Sequence, residues 1–261
     1  MKAAIYQGNQ RFSVEEVPDP LPGPGQVQID ISYAGVCGTD VHGFQHDKVP
    51  PGTIMGHEIS GVISILGDGV TRWKKGDRIV GGGGTHPKGM LSPAFTMPRL
   101  DFRKDGFTIP QPQGYAEKYV MEEWAPLPTP DNVTDLEAAL CEPAANSMRT
   151  VRRSGMKPGD FVAIYGAGPI GLFCLQIAKA SGARKVFVVE PTPIRAKAAA
   201  KLGADEIIDP TTLYRDSTRS REATARTSFW SVPPLLRRFN RRCIPCGVTD
   251  EWCSSRCPRI R

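Results

Sequence analysis

The sequence predicts two structural classes in succession, an all-β unit followed by an α/β unit that begins a doubly wound parallel sheet. Residues 1–120 contain short apolar runs, often alternating with polar residues and bounded by Gly and Pro, as half-buried strands are. At Thr134 the spacing of apolar residues becomes helical. From Phe161 onward, short continuous apolar runs alternate with helical segments, which is the pattern of β-α-β units.

The all-β unit is predicted to contain six short strands. They are Ala3–Tyr6, Val14–Val17, Val27–Tyr33, Ile59–Leu66, Arg78–Val80 and Tyr115–Val120. The proline-rich run Pro18–Gly25 can only form a loop, and residues 81–112 also have loop-like composition. Thr134 is a predicted helix N-cap, because Glu137 completes a capping box three residues later. Pro143 is expected to kink or end that helix.

The α/β unit is predicted to follow the order β-α-β-α-β. Its strands are Phe161–Tyr165, Val186–Val189 and Glu206–Asp209, and its helices are Pro169–Ser181 and Ile194–Leu202. A glycine closes each helix, as is common at helix C-termini. After about Thr212 the pattern stops, and residues 213–261 form an Arg- and Cys-rich tail that we expect to be disordered.

The net charge of +6 does not describe the body of the chain. Residues 214–261 contain eleven Arg, no Lys and four acidic residues, whereas the preceding residues are nearly neutral. A basic surplus indicates nucleic-acid binding only for the segment that carries it. We therefore do not expect residues 1–213 to bind nucleic acid.

The chain shows no sign of membrane insertion or secretion. The N-terminal residues lack an apolar run of signal-peptide length, and no stretch reaches the ~18 apolar residues of a membrane span. We therefore expect a cytoplasmic protein, in which cysteines stay reduced and can act as ligands.

Cys37, His57 and Glu58 offer a thiolate, an imidazole and a carboxylate, which are the ligand types of catalytic zinc. Cys37 is predicted on a loop after one strand, and His57 and Glu58 on a loop before another. Loops at strand ends can converge where adjacent strands cannot. Each residue alone has a simpler reading, since a buried thiol is most often part of the core and a single histidine most often a hydrogen-bonding residue.

Two motifs contain these residues. Gly56–Gly61 reads GHEISG and is followed by Gly67 and Val70, and Cys37–His42 reads CGTDVH. On these motifs the sequence resembles the zinc-containing medium-chain alcohol and polyol dehydrogenases of the sorbitol type, over about residues 1–212.

The resemblance implies a domain organisation and a reaction. Residues 1–150 would form a chaperonin-10-like β domain that binds zinc and carries catalysis, and residues 151–212 a partial Rossmann unit that binds NAD(P). The implied activity is zinc-dependent hydride transfer between a secondary alcohol or polyol and the nicotinamide cofactor.

The resemblance also implies roles for single residues. Cys37 and His57 would be catalytic zinc ligands, and Glu58 a ligand or a close neighbour of the metal. In ALCEP, Glu142 matches an acidic residue that polyol-type members place near the metal, and Cys141 is a competing candidate.

Thr39 and His42 would relay the alcohol proton to water, because zinc lowers the pKa of an alcohol and histidine titrates near neutrality. The simpler reading is that Thr39 caps a turn and His42 is merely exposed. Many family members carry a second, structural zinc on four cysteines after the strand at 78–80. Here no cysteine follows until Cys141, so we expect one catalytic zinc and no structural zinc in the 81–114 lobe.

The glycines Gly166, Gly168 and Gly171 form a G-x-G-x-x-G loop directly after a predicted buried strand. This context predicts a dinucleotide site, in which Gly166 allows a tight turn and Gly168 lets the backbone approach a pyrophosphate. Gly171 would permit close packing of the helix. The backbone N–H groups at the helix start, from Ile170 onward, would bind the phosphates. Pro169 belongs to the same first turn and has no N–H to donate.

Glu190 ends the next predicted strand, 19 residues after Gly171. A carboxylate there accepts hydrogen bonds from an adenosine ribose and repels a 2′-phosphate, so the sequence favours NAD over NADP. Arg195 follows Glu190 by five residues, and an arginine there can accommodate a 2′-phosphate, so NADP remains an alternative. The simpler reading of this unit is a flavodoxin-like sheet without a dinucleotide.

The tail contains cysteines in a C-x2-C-x6-C-x3-C pattern at Cys243, Cys246, Cys253 and Cys257. They could form a zinc knuckle, with arginines contacting phosphate. We favour instead a divergent or out-of-frame replacement, because the family resemblance ends before three further parallel strands. Half a doubly wound sheet would leave an edge strand exposed.

Three hypotheses follow, led by the zinc-dependent dehydrogenase, for which truncation leaves loss of activity open. The alternatives are a non-enzymatic zinc-binding truncated product and an Arg-rich nucleic-acid binder that uses the cysteine tail. The expected partner is a small-molecule alcohol or polyol rather than a membrane, and the sequence leaves a homo-oligomer open.

Overall fold

The computed structural model describes residues 1–81 and 114–210, together with the backbone of Cys243–Pro245. The chain divides into two compact units, Met1–Glu142 and Pro143–Arg261. This division falls eight residues before the domain boundary predicted at residue 150.

The described part of the first unit consists mainly of short strands, with two helices that lie wholly within it. The strands are β1 (Lys2–Gly8), β2 (Arg11–Glu16), β3 (Gln26–Gly35), β4 (Thr53–Ile54), β5 (Glu58–Leu66), β6 (Arg78–Val80), β7 (Lys118–Glu122) and β8 (Leu127–Pro128). The helices are α1 (Gly38–Gln45) and α2 (Asp135–Ala138). A third helix, α3 (Cys141–Ser154), begins at the end of this unit.

These strands form two antiparallel sheets, with the orders β7-β3-β5-β6-β8 and β2-β1-β4. The apolar alternation predicted for Val27–Tyr33 is observed only in part. Val27 and Ile29 of β3 share one buried cluster with Ile59 and Ile63 of β5, but the polar Gln28 between them is buried as well. Strands β3 and β5 pair along almost their whole length, from Val27 opposite Leu66 to Gly35 opposite Glu58. Their paired ends carry the candidate site.

Two local expectations for the first unit are corrected. Cys37 does not lie on an open loop, because it is the N-cap of α1, a helix that the sequence analysis did not predict. Pro143 does not end or kink the preceding helix, because α2 already stops at Ala138. Pro143 lies in the first turn of α3, where its missing N–H costs no helical hydrogen bond.

The second unit has the predicted parallel order of strands and helices. Its elements are β9 (Phe161–Tyr165), α4 (Pro169–Ala180), β10 (Lys185–Val189), α5 (Pro193–Lys201) and β11 (Glu206–Ile208). Helix α4 packs against β9 and β10 and buries Cys174 and Leu175 on the sheet, together with Val186 and Val188. None of the helices in residues 1–81 and 114–210 has the length and apolarity that crossing a membrane requires.

Within the tail, the structure describes only residues 243–245. Their backbone forms a short strand, β12 (Cys243–Pro245), which pairs in parallel with β9 and gives the sheet order β11-β10-β9-β12. The tail therefore contains a regular element, and β9 is not an exposed edge. The rest of the tail, 213–242 and 246–261, lies outside the described residues.

Candidate functional site

Helix α1 fixes Cys37 through a capping box made by its own first turn. The Cys37 Sγ accepts a hydrogen bond from the Thr39 N–H at 3.5 Å, and the Asp40 Oδ2 accepts one from the Cys37 N–H at 3.0 Å. A capping box satisfies N–H groups that the first helical turn leaves without partners. The helix therefore holds the thiol in one orientation at the end of β3.

The pairing of β3 with β5 brings the other two donors to this thiol. Gly35 lies opposite Glu58, and Cys37 follows Gly35 by two residues, so the chain leaves β3 beside the start of β5. The expectation that loops converge where adjacent strands cannot is therefore corrected, because β3 and β5 are adjacent. Adjacent antiparallel strands meet here because the end of one lies beside the beginning of the other.

Donor atoms of Cys37, His57 and Glu58 all lie within 4.8 Å of one another. Cys37 and His57 are half-buried and Glu58 is buried. Donors around one zinc ion are about 3.3–3.8 Å apart, given bond lengths of ~2.0–2.3 Å, so small side-chain adjustments close the set. The thiolate, imidazole and carboxylate therefore fit zinc in number, chemistry and spacing, and three protein ligands leave the open position of a catalytic site.

The electrostatics of the cluster also suit a cation. The hydrogen bond with Cys37 raises the pKa of His57 to about 9, against the opposing effect of burial, and the charge of Asp40 raises it further. Burial raises the pKa of Glu58, and the nearby charge of Glu142 adds to this. Several negatively charged groups are thus held together, an arrangement that a bound cation stabilises.

Glu142 lies near this cluster but outside it. It is half-buried in the first turn of α3, and its charge raises the pKa values of both His57 and Glu58. In the described part of the chain, the group of three closely spaced donors does not include Glu142. Cys141, the competing candidate, is exposed and also lies outside that group.

The two proposed proton-relay residues lie one helical turn apart on α1. Thr39 is half-buried beside Cys37, and His42 is exposed three residues later. The ring of His42 stacks on that of His46, with 5.9 Å between centroids. Residues spaced by three lie on the same side of a helix. Thr39 and His42 therefore share one side of α1, with Thr39 nearer the protein interior and His42 in solvent.

Sequence reasoning missed Asp40 and Tyr115. Asp40 is 3 % exposed, and its Oδ1 lies 3.6 Å from the His57 Nδ1. The Tyr115 hydroxyl donates to the Asp40 Oδ2 at 2.8 Å. An Asp three residues after an N-cap is a recognisable capping signal for Asp40. No local signal identifies Tyr115, which is 75 residues away in sequence.

The glycine loop of the second unit has the geometry of a tight strand-to-helix turn. Gly166 adopts a left-handed φ of +94°, which favours glycine, and its N–H donates to the Val189 carbonyl oxygen at 2.9 Å. A Cβ on Gly171 would overlap the Gly166 carbonyl oxygen, so the helix start lies directly on the turn. A Cβ on Gly168, the N-cap of α4, would meet only open space. Pro169 and Ile170 form the first turn of that helix.

Glu190 ends β10 beside this loop. It is 4 % exposed, its Oε2 accepts from the Ala167 N–H at 2.8 Å, and its Oε1 accepts from the Thr192 N–H at 2.8 Å. Burial alone would raise the pKa of Glu190, but these hydrogen bonds outweigh burial and lower it. Arg195 is exposed on α5, and its charge contributes to the lowering.

Two predictions concern residues outside the described part of the chain. The expected absence of a structural zinc applies mostly to residues 82–113. For the cysteine pattern, the structure gives only the backbone of Cys243, while Cys246, Cys253 and Cys257 are not among the described residues.

Comparison with known proteins gives two family matches along the chain. Residues 23–131 match the family described as Alcohol dehydrogenase GroES-like domain, and residues 169–229 match the family described as Zinc-binding dehydrogenase. The first range contains the cluster of Cys37, His57 and Glu58, and the second begins at the helix after the glycine loop.

Individual relatives agree with these matches. The chain is 34% identical to (R,R)-butanediol dehydrogenase of Bacillus subtilis over 230 residues, which is 80% of this chain and 63% of the relative. It is 33% identical to a sorbitol dehydrogenase of Halalkalibacterium halodurans, over 80% of this chain and 62% of the relative. The chain thus spans somewhat more than three fifths of these relatives.

Solved structures show the same similarity in three dimensions. The crystal structure of 2R,3R-butanediol dehydrogenase from Bacillus subtilis superposes with a TM-score of 0.67 at 30% identity, covering 84% of this chain and 67% of the other. A Sinorhizobium meliloti protein described as a zinc-binding dehydrogenase and bound to NADP gives a TM-score of 0.69 at 29% identity, covering 81% and 62%. The chain belongs to the zinc-binding medium-chain family of alcohol and polyol dehydrogenases.

Proposed function

We propose that this chain contributes the metal centre and the start of the cofactor domain of a zinc-dependent dehydrogenase. The reaction class is hydride exchange between a secondary alcohol or polyol and a nicotinamide cofactor. The observation that carries the proposal is the set of Cys37, His57 and Glu58 donors within 4.8 Å at the paired ends of β3 and β5.

Cys37, His57 and Glu58 would hold the zinc, and Glu142 would act on it from a short distance through its charge. Bound zinc would supply Lewis-acid polarisation of the substrate hydroxyl and lower its pKa. The capping box keeps the Cys37 thiol oriented, and burial keeps the Glu58 carboxylate out of bulk water. The protein thereby presets the donor positions, which reduces the reorganisation that metal binding requires.

Thr39 and His42 would move the substrate proton outward. Thr39 is half-buried in the first turn of α1, next to Cys37, and a hydroxyl can accept and donate a proton in the same step. The exposed His42 ring, which can both accept and donate a proton, would then pass the proton to water.

The glycine loop and Glu190 would bind the dinucleotide. The first turn of α4 presents backbone N–H groups next to the open space at Gly168, which suits a pyrophosphate. Glu190 would accept hydrogen bonds from the ribose and disfavour a 2′-phosphate, so we propose NAD rather than NADP. One similar structure is bound to NADP, so the preference of this chain for NAD has to be measured directly.

The proposed substrates are small polyols or vicinal diols. Relatives are named for butanediol and sorbitol, which share adjacent hydroxyl groups. We place the protein in the cytoplasm, because a cysteine that acts as a ligand must stay reduced.

Zinc content of the purified full-length chain tests the proposal. Cys37→Ser should lose about one zinc equivalent relative to wild type, because a three-ligand site does not survive loss of its thiolate. Cys141→Ser is the matched control, since this exposed thiol lies outside the donor cluster and its loss should leave zinc content unchanged.

The same samples test the cofactor and the substrate. NADH fluorescence should be quenched on binding more strongly than NADPH fluorescence, and butane-2,3-diol and sorbitol should be oxidised only by proteins that retain Cys37. Equal zinc content in Cys37→Ser and wild type would rule out the proposed metal centre.

A further inference from the structure

Tyr115 lies outside the motifs CGTDVH and GHEISG, but its backbone and its ring are both held close to them. Its backbone is held from two sides, because its N–H donates to the Met55 carbonyl oxygen at 2.8 Å and its carbonyl oxygen accepts from the Ala4 N–H at 2.8 Å. Its ring packs directly on Gly56, where a Cβ would lie 2.6 Å from Tyr115 Cδ1. Tyr115 is thus fixed against the residue that precedes His57.

The hydroxyl of this fixed ring reaches the buried Asp40. Asp40 Oδ2 accepts two hydrogen bonds, from the Tyr115 hydroxyl at 2.8 Å and from the Cys37 N–H at 3.0 Å. Burial and the neighbouring Asp40 raise the pKa of Tyr115, so the phenol stays protonated and remains a donor. Two donors on one oxygen fix the rotation of the carboxylate about its Cβ–Cγ bond.

The other oxygen of Asp40 faces the imidazole of His57. Oδ1 lies 3.6 Å from the His57 Nδ1, is shielded from water and has no hydrogen-bond partner. One carboxylate therefore contacts the backbone of Cys37 through one oxygen and faces His57 through the other. With Nδ1 facing Asp40, Nε2 is the ring nitrogen left for a metal, and a carboxylate behind a ligating histidine fixes the ring's orientation and raises its basicity.

We propose that the Tyr115 hydroxyl is a positioning group for the metal centre, which orients Asp40 and, through it, the His57 imidazole and the Cys37 end of α1. This inference rests on the proposed zinc site. Without the phenol, the Asp40 carboxylate keeps only the Cys37 N–H on Oδ2 and can rotate, so Oδ1 no longer has a fixed direction toward the imidazole.

Tyr115→Phe tests the hydroxyl alone. The ring packing on Gly56 and both backbone hydrogen bonds of residue 115 remain, so the variant should fold. Tyr119→Phe is the matched control, because Tyr119 is also a half-buried tyrosine of the same unit but packs in the separate apolar cluster around Ile29 and Ile63.

Zinc and cobalt are the probes, used with the full chain. Removal of a group that hydrogen-bonds a metal ligand costs ~10–100-fold in metal affinity. Tyr115 acts through Asp40 and so lies one contact further from the metal. Tyr115→Phe should therefore weaken zinc binding about 3–10-fold, measured in competition with a chromogenic chelator. The thiolate-to-cobalt absorption of the Cys37-dependent site, obtained by subtracting the spectrum of Cys37→Ser, should also change in Tyr115→Phe. Tyr119→Phe should match wild type in both measurements.

A cycle with Asp40→Asn separates positioning from general stabilisation. If Tyr115 acts through Asp40, adding Tyr115→Phe to Asp40→Asn should change zinc affinity by less than about twofold. Equal zinc affinity and equal cobalt spectra in Tyr115→Phe and Tyr119→Phe would overturn the inference and leave the zinc site standing. An absence of any Cys37-dependent cobalt signal in wild type would overturn the zinc site and this inference with it.

Discussion

Gly35 is the residue at which the backbone makes room for the side chain of Glu58, a proposed metal ligand. The Glu58 side chain lies across it on the paired strand, so a Cβ at residue 35 would overlap Glu58 Oε2 and come within 3.0 Å of Glu58 Cβ. Glycine is required here by close approach of a side chain rather than by an unusual backbone angle.

We expect Gly35→Ala to displace the Glu58 carboxylate from the donor cluster. Zinc affinity should fall by about tenfold or more, the scale seen when groups that support a metal site are lost, and overpacking should lower the free energy of unfolding by about 1–3 kcal/mol. Chelator competition and urea unfolding of the zinc-free protein measure the two effects.

Gly38→Ala is the control for this substitution. Gly38 starts α1 only three residues later, and a Cβ there would meet no atom within 4 Å. Zinc affinity in Gly38→Ala should stay within twofold of wild type, a rough bound expected for a surface position. Similar losses in both glycine variants would show that Gly35 does not act through Glu58.

Glu190 gives the second unit a defined dependence on pH. Its pKa is lowered in the folded state, because hydrogen bonds from Ala167 and Thr192 outweigh the effect of burial. A lowered pKa adds stability that is complete above the unfolded value of about 4.3 and is lost as pH falls through the folded value.

Glu190→Gln should therefore destabilise the second unit by about 1–3 kcal/mol at pH 7, since hydrogen bonds to a charged group are replaced by weaker ones. The difference from wild type should shrink as the pH falls below the unfolded value of about 4.3 and disappear once the pH has passed the lowered folded pKa of Glu190. Urea unfolding across this pH range measures it, with Glu206→Gln, an exposed position on β11, as the control. A difference that is independent of pH would contradict the role of the carboxylate charge.

At the scale of elements, α2 shows how a very short helix is fixed to a sheet. Thr134 Oγ1 accepts from the Glu137 N–H at 3.3 Å, and Glu137 Oε2 accepts from the Thr134 N–H at 2.9 Å, which confirms the predicted capping box. Ser60 on β5 donates to the Asp135 carbonyl oxygen at 2.6 Å, and Arg78 on β6 donates to the Asp135 carboxylate at 2.7 Å. An isolated helix of four residues is unstable in water, so these contacts maintain it.

Thr134→Ala should lower the free energy of unfolding by about 0.5–2 kcal/mol, the usual cost of removing a threonine N-cap. Thr71→Ala is a suitable control, because Thr71 is exposed in the same unit and its backbone hydrogen bond to Glu123 is kept by alanine. Thermal or urea unfolding measures both variants. A loss in Thr134→Ala no larger than in Thr71→Ala would mean that the tertiary contacts of Asp135 are sufficient to hold the helix.

Helix α1 is an element that the sequence did not indicate. Its residues, GTDVHGFQ, contain two glycines and few strong helix formers, so propensity and periodicity are weak. The helix forms because its N-cap box and the burial of Asp40 and Gly43 stabilise it in place. Because the helix was not predicted, Cys37 was placed on a loop. Its proposed role as a metal ligand rests on the donor cluster that it forms with His57 and Glu58.

At the scale of the molecule, the two units have separate cores and contain different candidate sites. The first unit contains the donor cluster of Cys37, His57 and Glu58, and the second contains the glycine loop and Glu190. The predicted fold class is confirmed by both units and by the relatives that share them. The chain covers 63% of the butanediol dehydrogenase that it matches, so activity has to be measured on this chain itself.

The sequence by itself determined what depends on near neighbours. Strand alternation, the capping box at Thr134 and the glycine turn at Gly166 follow from residues only a few positions apart, and the donor types at Cys37 and His57 follow from residue identity. These features can be predicted from short segments because the interactions that favour them are local.

Only the tertiary structure decided how the donors meet and what supports them. The pairing of Gly35 with Glu58 depends on the register of two strands, and the hydrogen bond from Tyr115 to Asp40 joins residues 75 positions apart. Register and long-range packing are set by burial of the whole sheet face rather than by local composition, so no short segment of sequence contains them.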